Sequence, residues 1–226
     1  DWAKIVPLLE QFDFDSLVLA TGSSPFVPRM PGTDLNGVFV YRTLEDLAAI
    51  RNYSLHCRTA AVIGGGLLGL EAAKALLDLG LDTTVVEAAD RLMPRQLDSS
   101  GAMMLQRSIE ALGVKVLTGK KTTAISGQTK TNGLLFDDGF QLPSDMIVIS
   151  AGIRPRDELA REAGLSLGPR GGIAVDGKLT TSDADIYSIG ECAAFGEDIY
   201  GLVAPGYKMA EVLAAHLCGQ DKTFQG

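Results

Sequence analysis

The stretch Thr59-Ala-Ala-Val-Ile-Gly64-Gly65-Gly66-Leu67-Leu68-Gly69-Leu70-Glu71-Ala-Ala-Lys-Ala-Leu-Leu-Asp-Leu79-Gly80 decides the fold. Thr59 to Gly64 is a short apolar run stopped by glycine, the pattern of a buried strand. Leu70 to Leu79 is built from strong helix formers and closed by Gly80. Between them, Gly64 to Gly69 has the spacing GxGxxG, and Asp82-Thr-Thr-Val-Val-Glu87 supplies a second strand that ends in an acid. Strand, glycine turn, helix, strand and acid in this order form the pattern of a dinucleotide-binding unit. Gly64 permits the tight turn, Gly66 lets backbone approach a pyrophosphate, and Gly69 lets helix and strand pack closely. Leu67 and Leu68 are counted with these glycines among the cofactor contacts, and the N-terminus of the helix that follows offers unpaired N–H groups and a positive end to phosphate. Glu87 is placed to accept hydrogen bonds from ribose hydroxyls and to repel a 2′-phosphate, which favours NADH over NADPH. Arg91 and Arg95 follow closely. Either one reaches a 2′-phosphate or lies on plain surface, and a glycine turn used only for packing is the bland alternative to the whole site.

Working outward, Thr43 stands as an N-cap before a helical pattern over 43–51, and a second amphipathic pattern over 99–112 is closed by Gly113 before the strand 114–117. This alternation predicts a parallel sheet wrapped by helices. Strand-like runs at 122–128, 133–137 and 140–142 follow, with Asn132-Gly133 and Asp138-Gly139 as expected hairpin turns, so a small antiparallel meander is predicted. The apolar strand 145–151 returns to the main sheet and stops at Gly152. Upstream, Ser16 to Gly22 reads as a strand, and 23–32, with three prolines, as an ordered connector. The expected fold is α/β, with a three-layer dinucleotide domain and its β-meander at 37–153. That domain is inserted into a second unit formed by 1–36 and 154–226.

Composition limits the function classes. Among 226 residues, 46% are hydrophobic and 21% charged, as in ordinary globular proteins, which excludes a disordered chain. The 26 glycines follow no fixed period. With 28 acidic against 20 basic residues and a formal net charge of −8, the chain lacks the cationic surplus that grips phosphate backbones, so no nucleic acid and no membrane is expected as a partner. Its 3 cysteines, Cys57, Cys192 and Cys218, form no CxxC, so no metal site is encoded and a reducing cytoplasm fits. No signal peptide is expected, and no apolar run comes near the ~18–20 residues that span a bilayer. The chain opens Asp1-Trp2-Ala3 without Met, which reads as a processed chain or a piece of a longer one.

Four marks, Leu19-Ala20-Thr21-Gly22, the glycine loop 64–69, Gly152-Ile-Arg-Pro155 and Asp185-Ile-Tyr-Ser-Ile-Gly190-Glu191, resemble the two-dinucleotide flavoprotein oxidoreductases, in which an NAD(P)H domain is inserted into an FAD domain. Val40-Tyr-Arg-Thr-Leu-Glu-Asp-Leu47, Gly152-Ile-Arg-Pro-Arg-Asp157 and Tyr200-Gly-Leu-Val-Ala-Pro-Gly-Tyr-Lys-Met-Ala210 are similar, more narrowly, to the large subunits of cytoplasmic NAD(P)H-dependent nitrite reductases. Gly190-Glu191-Cys192 resembles that branch where the wider family usually has Gly-Asp.

The resemblance implies an electron-input module in which NADH gives a hydride to FAD. The electrons then pass to an iron–sulfur cluster and siroheme in further, downstream domains, where nitrite becomes ammonia. It implies cofactor-binding roles for Thr21, Gly22, Gly152 and Gly190, with Glu191 at the flavin ribityl chain. Ala204 and Pro205 would open a helix aimed at the flavin pyrimidine edge. Exposed acid and merely structural helix start are the alternatives for these last features. The resemblance places Glu71, in the first helical turn, near the nicotinamide, with stabilisation of the helix dipole as an equal alternative. Arg95 is kept among the dinucleotide contacts. His56 and His216 read as surface or packing residues, and Cys192 as a small buried filler. The family's N-terminal FAD fingerprint does not occur, so this polypeptide alone is expected not to retain FAD. The exposed edge of the first strand is an opening for a homodimer. A free-standing ferredoxin- or rubredoxin-type reductase and a non-catalytic NADH-sensing module are the other readings.

Overall fold

The computed structural model describes residues 14–226, so the part of segment 1–36 before Phe14 lies outside the described residues. The chain divides into two compact units, one formed by Pro25–Gly152 and the other by the segments on either side of it.

In the Pro25–Gly152 unit, five strands form a parallel sheet in the order Val38–Val40, Met146–Ile149, Thr59–Ile63, Asp82–Val86, Lys115–Leu117. Side chains alternate across each strand. Ala60, Val62, Val85, Met146 and Val148 therefore share one face, where they meet Ile50 of the helix Leu44–Ser54 and Ala72, Ala73 and Leu76 of the helix Leu67–Asp78. Leu105 and Ile109 of the helix Ser99–Ala111 join the same cluster. Ala61, Ile63, Val86, Ile147 and Ile149 point the other way, against Ile125, Leu134 and Phe136. Those last three belong to an antiparallel sheet of Thr122–Gly127, Thr131–Phe136 and Gln141–Pro143.

The order is thus helices, parallel sheet, meander. These are the three layers the sequence predicts, and all three helices cover one face. Each of the three crossovers advances in the same direction across the sheet, and right-handed connections then put every helix on the same side. The meander buries the face left over.

Two sequence expectations change. Residues 25–36 pack with the inner unit, not with the outer one. Ile125 N donates to Pro31 O at 2.9 Å, and Met30 and Leu35 join the meander-side core. Asn132-Gly133 is not a turn, because both residues lie inside the strand Thr131–Phe136. Gly133 has φ +150°, and a Cβ there would stand 2.3 Å from Leu142 O, so its glycine serves a close approach of strands. The Asp138-Gly139 turn forms as expected, with Gly139 at φ +81° and its N–H donating to Phe136 O. Thr43 caps its helix in a reciprocal box, with Asp46 N donating to Thr43 Oγ1 and Thr43 N to Asp46 Oδ2. Ser23–Pro25 is a strand paired only with Ile153–Pro155, and each strand ends in proline, which keeps proline out of a central strand.

In the outer unit, Leu17–Leu19 runs parallel to Ile186–Ser188. Ile173–Val175 runs parallel to Ala193–Phe195, which pairs antiparallel with Asp198–Ile199. The helix Val203–Leu217 buries Met209, Val212 and Leu213 against Leu179, Tyr187, Ala193 and Phe224. Phe224 meets Phe195 and Tyr200 edge to face, which anchors the tail after this helix. Among the described residues, no helix is long and apolar enough to cross a membrane.

Asp145 links two strand starts of the inner unit. Its Oδ2 accepts from Arg58 N at 2.9 Å and from Thr59 N and Oγ1, both at 3.0 Å. The Arg58 N–H, and after it the Thr59 donors, hold its carboxyl below the usual range, although burial pulls the other way. The folded value therefore lies below an unfolded value of about 3.9, so this stability is present above that pH and lost as pH falls through the folded value. Asp145→Asn is expected to lower the urea midpoint at pH 7, and the gap to wild type should shrink below about pH 4.

Candidate functional site

Gly64 leaves the strand Thr59–Ile63 with φ +116°, and its N–H donates to Val86 O at 2.8 Å. A Cβ at Gly64 would lie 2.2 Å from Ser150 O, and one at Gly69 would lie 1.9 Å from Gly64 O. These two glycines let turn, helix and neighbouring strand touch. Gly66 is different. It is the N-cap of the helix Leu67–Asp78, at an ordinary φ of −85°, and a Cβ there would meet nothing within 4 Å. No side chain caps this helix and no acid lies in its first turn. The open space beside Gly66 therefore faces uncapped N–H groups at the positive end of a dipole, an arrangement that suits an anion.

The middle glycine is fastened on both sides. Gly65 N donates to Glu87 Oε2 at 2.7 Å, and Gly65 O accepts from Met93 N at 3.0 Å. Glu87 Oε1 accepts from Ala89 N at 2.8 Å. Glu87 thus stands beside the turn, as the strand-end acid of the motif should. Sequence reasoning missed its second task of bracing the turn, and no spacing rule signals it. Each oxygen keeps a lone pair for an incoming hydroxyl. Met93 holds φ +47°, and its carbonyl accepts from Gln96 N and Leu97 N, so the segment after Glu87 curls back onto the glycine turn. Arg91 braces that curl through Asp90, Pro94 O and Leu97 O. Arg95 is exposed.

Glu71 is the fifth residue of its helix, past the first turn where the sequence placed it. The helix dipole acts mainly within that turn, so dipole stabilisation explains little of Glu71. Its partner is Tyr41, whose hydroxyl donates to Glu71 Oε1 at 3.3 Å. Partial burial, then the Glu71 charge and this hydrogen bond, push the Tyr41 phenol above its ordinary value. Leu67 and Leu68, at 47% and 38% exposure, stand open at the helix start.

The outer unit gathers Thr21, Gly22, Gly190, Glu191, Ala204 and Pro205, whereas Gly152 ends the inner unit. Thr21 Oγ1 donates to Arg156 O at 2.6 Å, and Arg156 N donates to Gly22 O. A cleft of about 430 Å³ is lined by Thr21, Arg156, Glu158, Leu159 and Glu162. Gly190 has φ +77°, with nothing near a Cβ position, and opens the short turn carrying Glu191. Buried Ser23 donates from Oγ to Glu191 Oε2 at 2.8 Å, a partner that the sequence did not announce. The helix Val203–Leu217 begins one residue before Ala204, puts Pro205 in its first turn, and has neither a capping side chain nor an acid there. Cys192 is fully buried, with Sγ near Ser188 Oγ, Ile189 O and Leu19 O, and so fills the core. His56 is exposed, and His216 packs edge-on to Tyr187.

An uncapped helix behind a glycine turn, on a parallel sheet with an acid at the next strand end, defines a dinucleotide-binding α/β protein. Residues 7–216 match the pyridine nucleotide-disulphide oxidoreductase family model, and the chain belongs to that family. It is 56% identical to the nitrite reductase [NAD(P)H] large subunit of Klebsiella oxytoca, over 94% of this chain and 22% of that protein. It is 50% identical to the nitrite reductase (NADH) large subunit of Escherichia coli, over 94% of this chain and 25% of the other. Among solved structures, it is similar to a NAD-dependent persulfide reductase from A. fulgidus, with TM-score 0.89 and 32% identity, covering 95% of this chain and 41% of that one. The chain thus spans no more than about a quarter of the nitrite reductase subunits it matches.

The glycines make separable predictions. Gly69→Ala should cost about 3 kcal/mol by chemical denaturation, because its Cβ meets backbone. Gly66→Ala should cost only about 1 kcal/mol, the ordinary penalty for alanine at an N-cap, since empty space receives the methyl.

Proposed function

We propose that this chain is the electron-input part of a longer flavoprotein. It binds NAD(P)H at the glycine turn, prefers NADH, and delivers a hydride to FAD. The electrons then go on to an iron–sulfur cluster and siroheme that reduce nitrite to ammonia in the cytoplasm. The observation that carries this reading is the open space at Gly66, set against uncapped helix amides and flanked by the Glu87 carboxylate. The high identity to nitrite reductase large subunits supports the downstream chemistry.

In this reading the pyrophosphate lies on the amides that open the helix Leu67–Asp78. Glu87 takes the adenosine ribose hydroxyls with lone pairs that its bonds to Gly65 N and Ala89 N leave over. A 2′-phosphate there would set two anions against each other, which is the physical source of the NADH preference. Arg95 is the cation that limits this preference.

The outer unit has groups that fit a flavin. Gly22 and Gly190 leave room where a Cβ would intrude, Glu191 is held by Ser23, and the uncapped start of Val203–Leu217 favours negative charge. Bound flavin supplies the conversion of a two-electron hydride into single-electron transfers. The protein's own share is placement and electrostatics: amides and carboxylates hold the two cofactors, and no side chain has to move a proton for the hydride to pass.

Calorimetric titration tests the site. NADH should bind more tightly than NADPH. Gly66→Ala should abolish most NADH binding while the fold persists. Glu87→Ala should weaken NADH by roughly tenfold and narrow its advantage over NADPH. Absence of binding by the folded wild-type chain, or an unchanged preference in Glu87→Ala, would remove the assignment.

A further inference from the structure

We propose that Tyr41 is a positioning residue that holds the Glu71 carboxylate for the nicotinamide half of the dinucleotide. This deepens the site assignment above and rests on it.

Glu71 lies three residues after Leu68 and four after Leu67, so the three share one helix face. Helical side chains lean toward the N-terminus, which brings the carboxylate over the ledge made by the two exposed leucines. That ledge begins directly after Gly66, where the phosphates bind in this reading. A nicotinamide is a flat apolar ring carrying a carboxamide. The ledge suits the ring, and the carboxylate suits the amide N–H. Leu67 and Leu68 thus offer apolar surface, and Glu71 a carboxylate, on the same side of the helix start.

A lone glutamate on a helix surface samples many rotamers, and ordering it on binding costs free energy. Tyr41 reduces that cost. Its ring packs against the core cluster around Ile50, Ala72 and Ala73, so the hydroxyl is presented from a fixed base. It bonds Glu71 Oε1 at 3.3 Å, while among the described residues nothing donates to Oε2. The second oxygen thus faces an incoming N–H with its direction already set. The raised phenol value agrees with this arrangement, since Tyr41 stays a donor wherever Glu71 is charged.

ADP-ribose shares the adenosine and pyrophosphate of NADH and lacks the nicotinamide, so titrating the full chain with both separates the two halves of the site. Wild type should bind NADH more tightly than ADP-ribose. Tyr41→Phe keeps the packed ring and should weaken NADH about 3- to 10-fold while leaving ADP-ribose within about twofold. Glu71→Gln should weaken NADH likewise, and the double variant should be no worse than Glu71→Gln alone, because Tyr41 acts through that carboxylate. An equal loss for both ligands in Tyr41→Phe, no loss of NADH, or losses that add in the double variant would overturn the positioning role while the phosphate site stands. A wild-type chain that binds neither ligand would overturn the phosphate site itself, and this inference with it.

Discussion

At Gly69 the helix Leu67–Asp78 approaches the preceding turn so closely that a β-carbon would stand 1.9 Å from the Gly64 carbonyl oxygen. Much of the inner unit follows from that approach. It fixes the helix start over the end of the strand Thr59–Ile63, which aims the uncapped amides at the space beside Gly66. It also sets Ala72, Ala73 and Leu76 onto the sheet face formed by Ala60, Val62 and Val85. Burying each large aliphatic side chain there contributes about 1.5–3 kcal/mol. The site and the core are two consequences of one contact, so a change at Gly69 disturbs both, whereas a change at Gly66 touches only the site.

Carboxylates do the positioning around this frame, and they do it by taking backbone N–H groups. Glu87 bridges Gly65 and Ala89, Asp145 binds Arg58 and Thr59, and Asp157 accepts from Gly172. In each case an acid converts donors that a turn leaves over into a rigid joint. Glu87 is structural in this sense, and under the proposed function it also meets the ribose hydroxyls. A neutral residue of similar size at position 87 would lose these charge-assisted bonds and loosen the glycine turn. Tyr41 and Glu71 extend the scheme to side chains, with a packed ring steadying an exposed charge.

Legibility in the sequence follows the range of the interaction. The glycine spacing, the Thr43 cap and the Asp138-Gly139 turn are local, and each was readable because a few adjacent residues decide it. Asn132-Gly133 has the same local signature as a hairpin turn. Yet it lies within a strand, because the Leu142 backbone comes too close for any other residue at 133. The prolines at 25–31 read as a connector leaving the first segment. Pairing of Pro31 O with Ile125 N, far along the chain, draws that stretch into the inner unit.

The parallel α/β unit, its glycine turn and its strand-end acid follow from the sequence alone. These depend on periodicity and spacing over tens of residues. Only the tertiary structure decided that all helices share one face, that Glu87 clamps Gly65, that Ser23 holds Glu191, and that Tyr41 reaches Glu71. The reason is physical: a hydrogen bond between Ser23 and Glu191, or a helix's choice of sheet face, depends on how strands already in register bring distant residues together. No pattern along the chain encodes that distance.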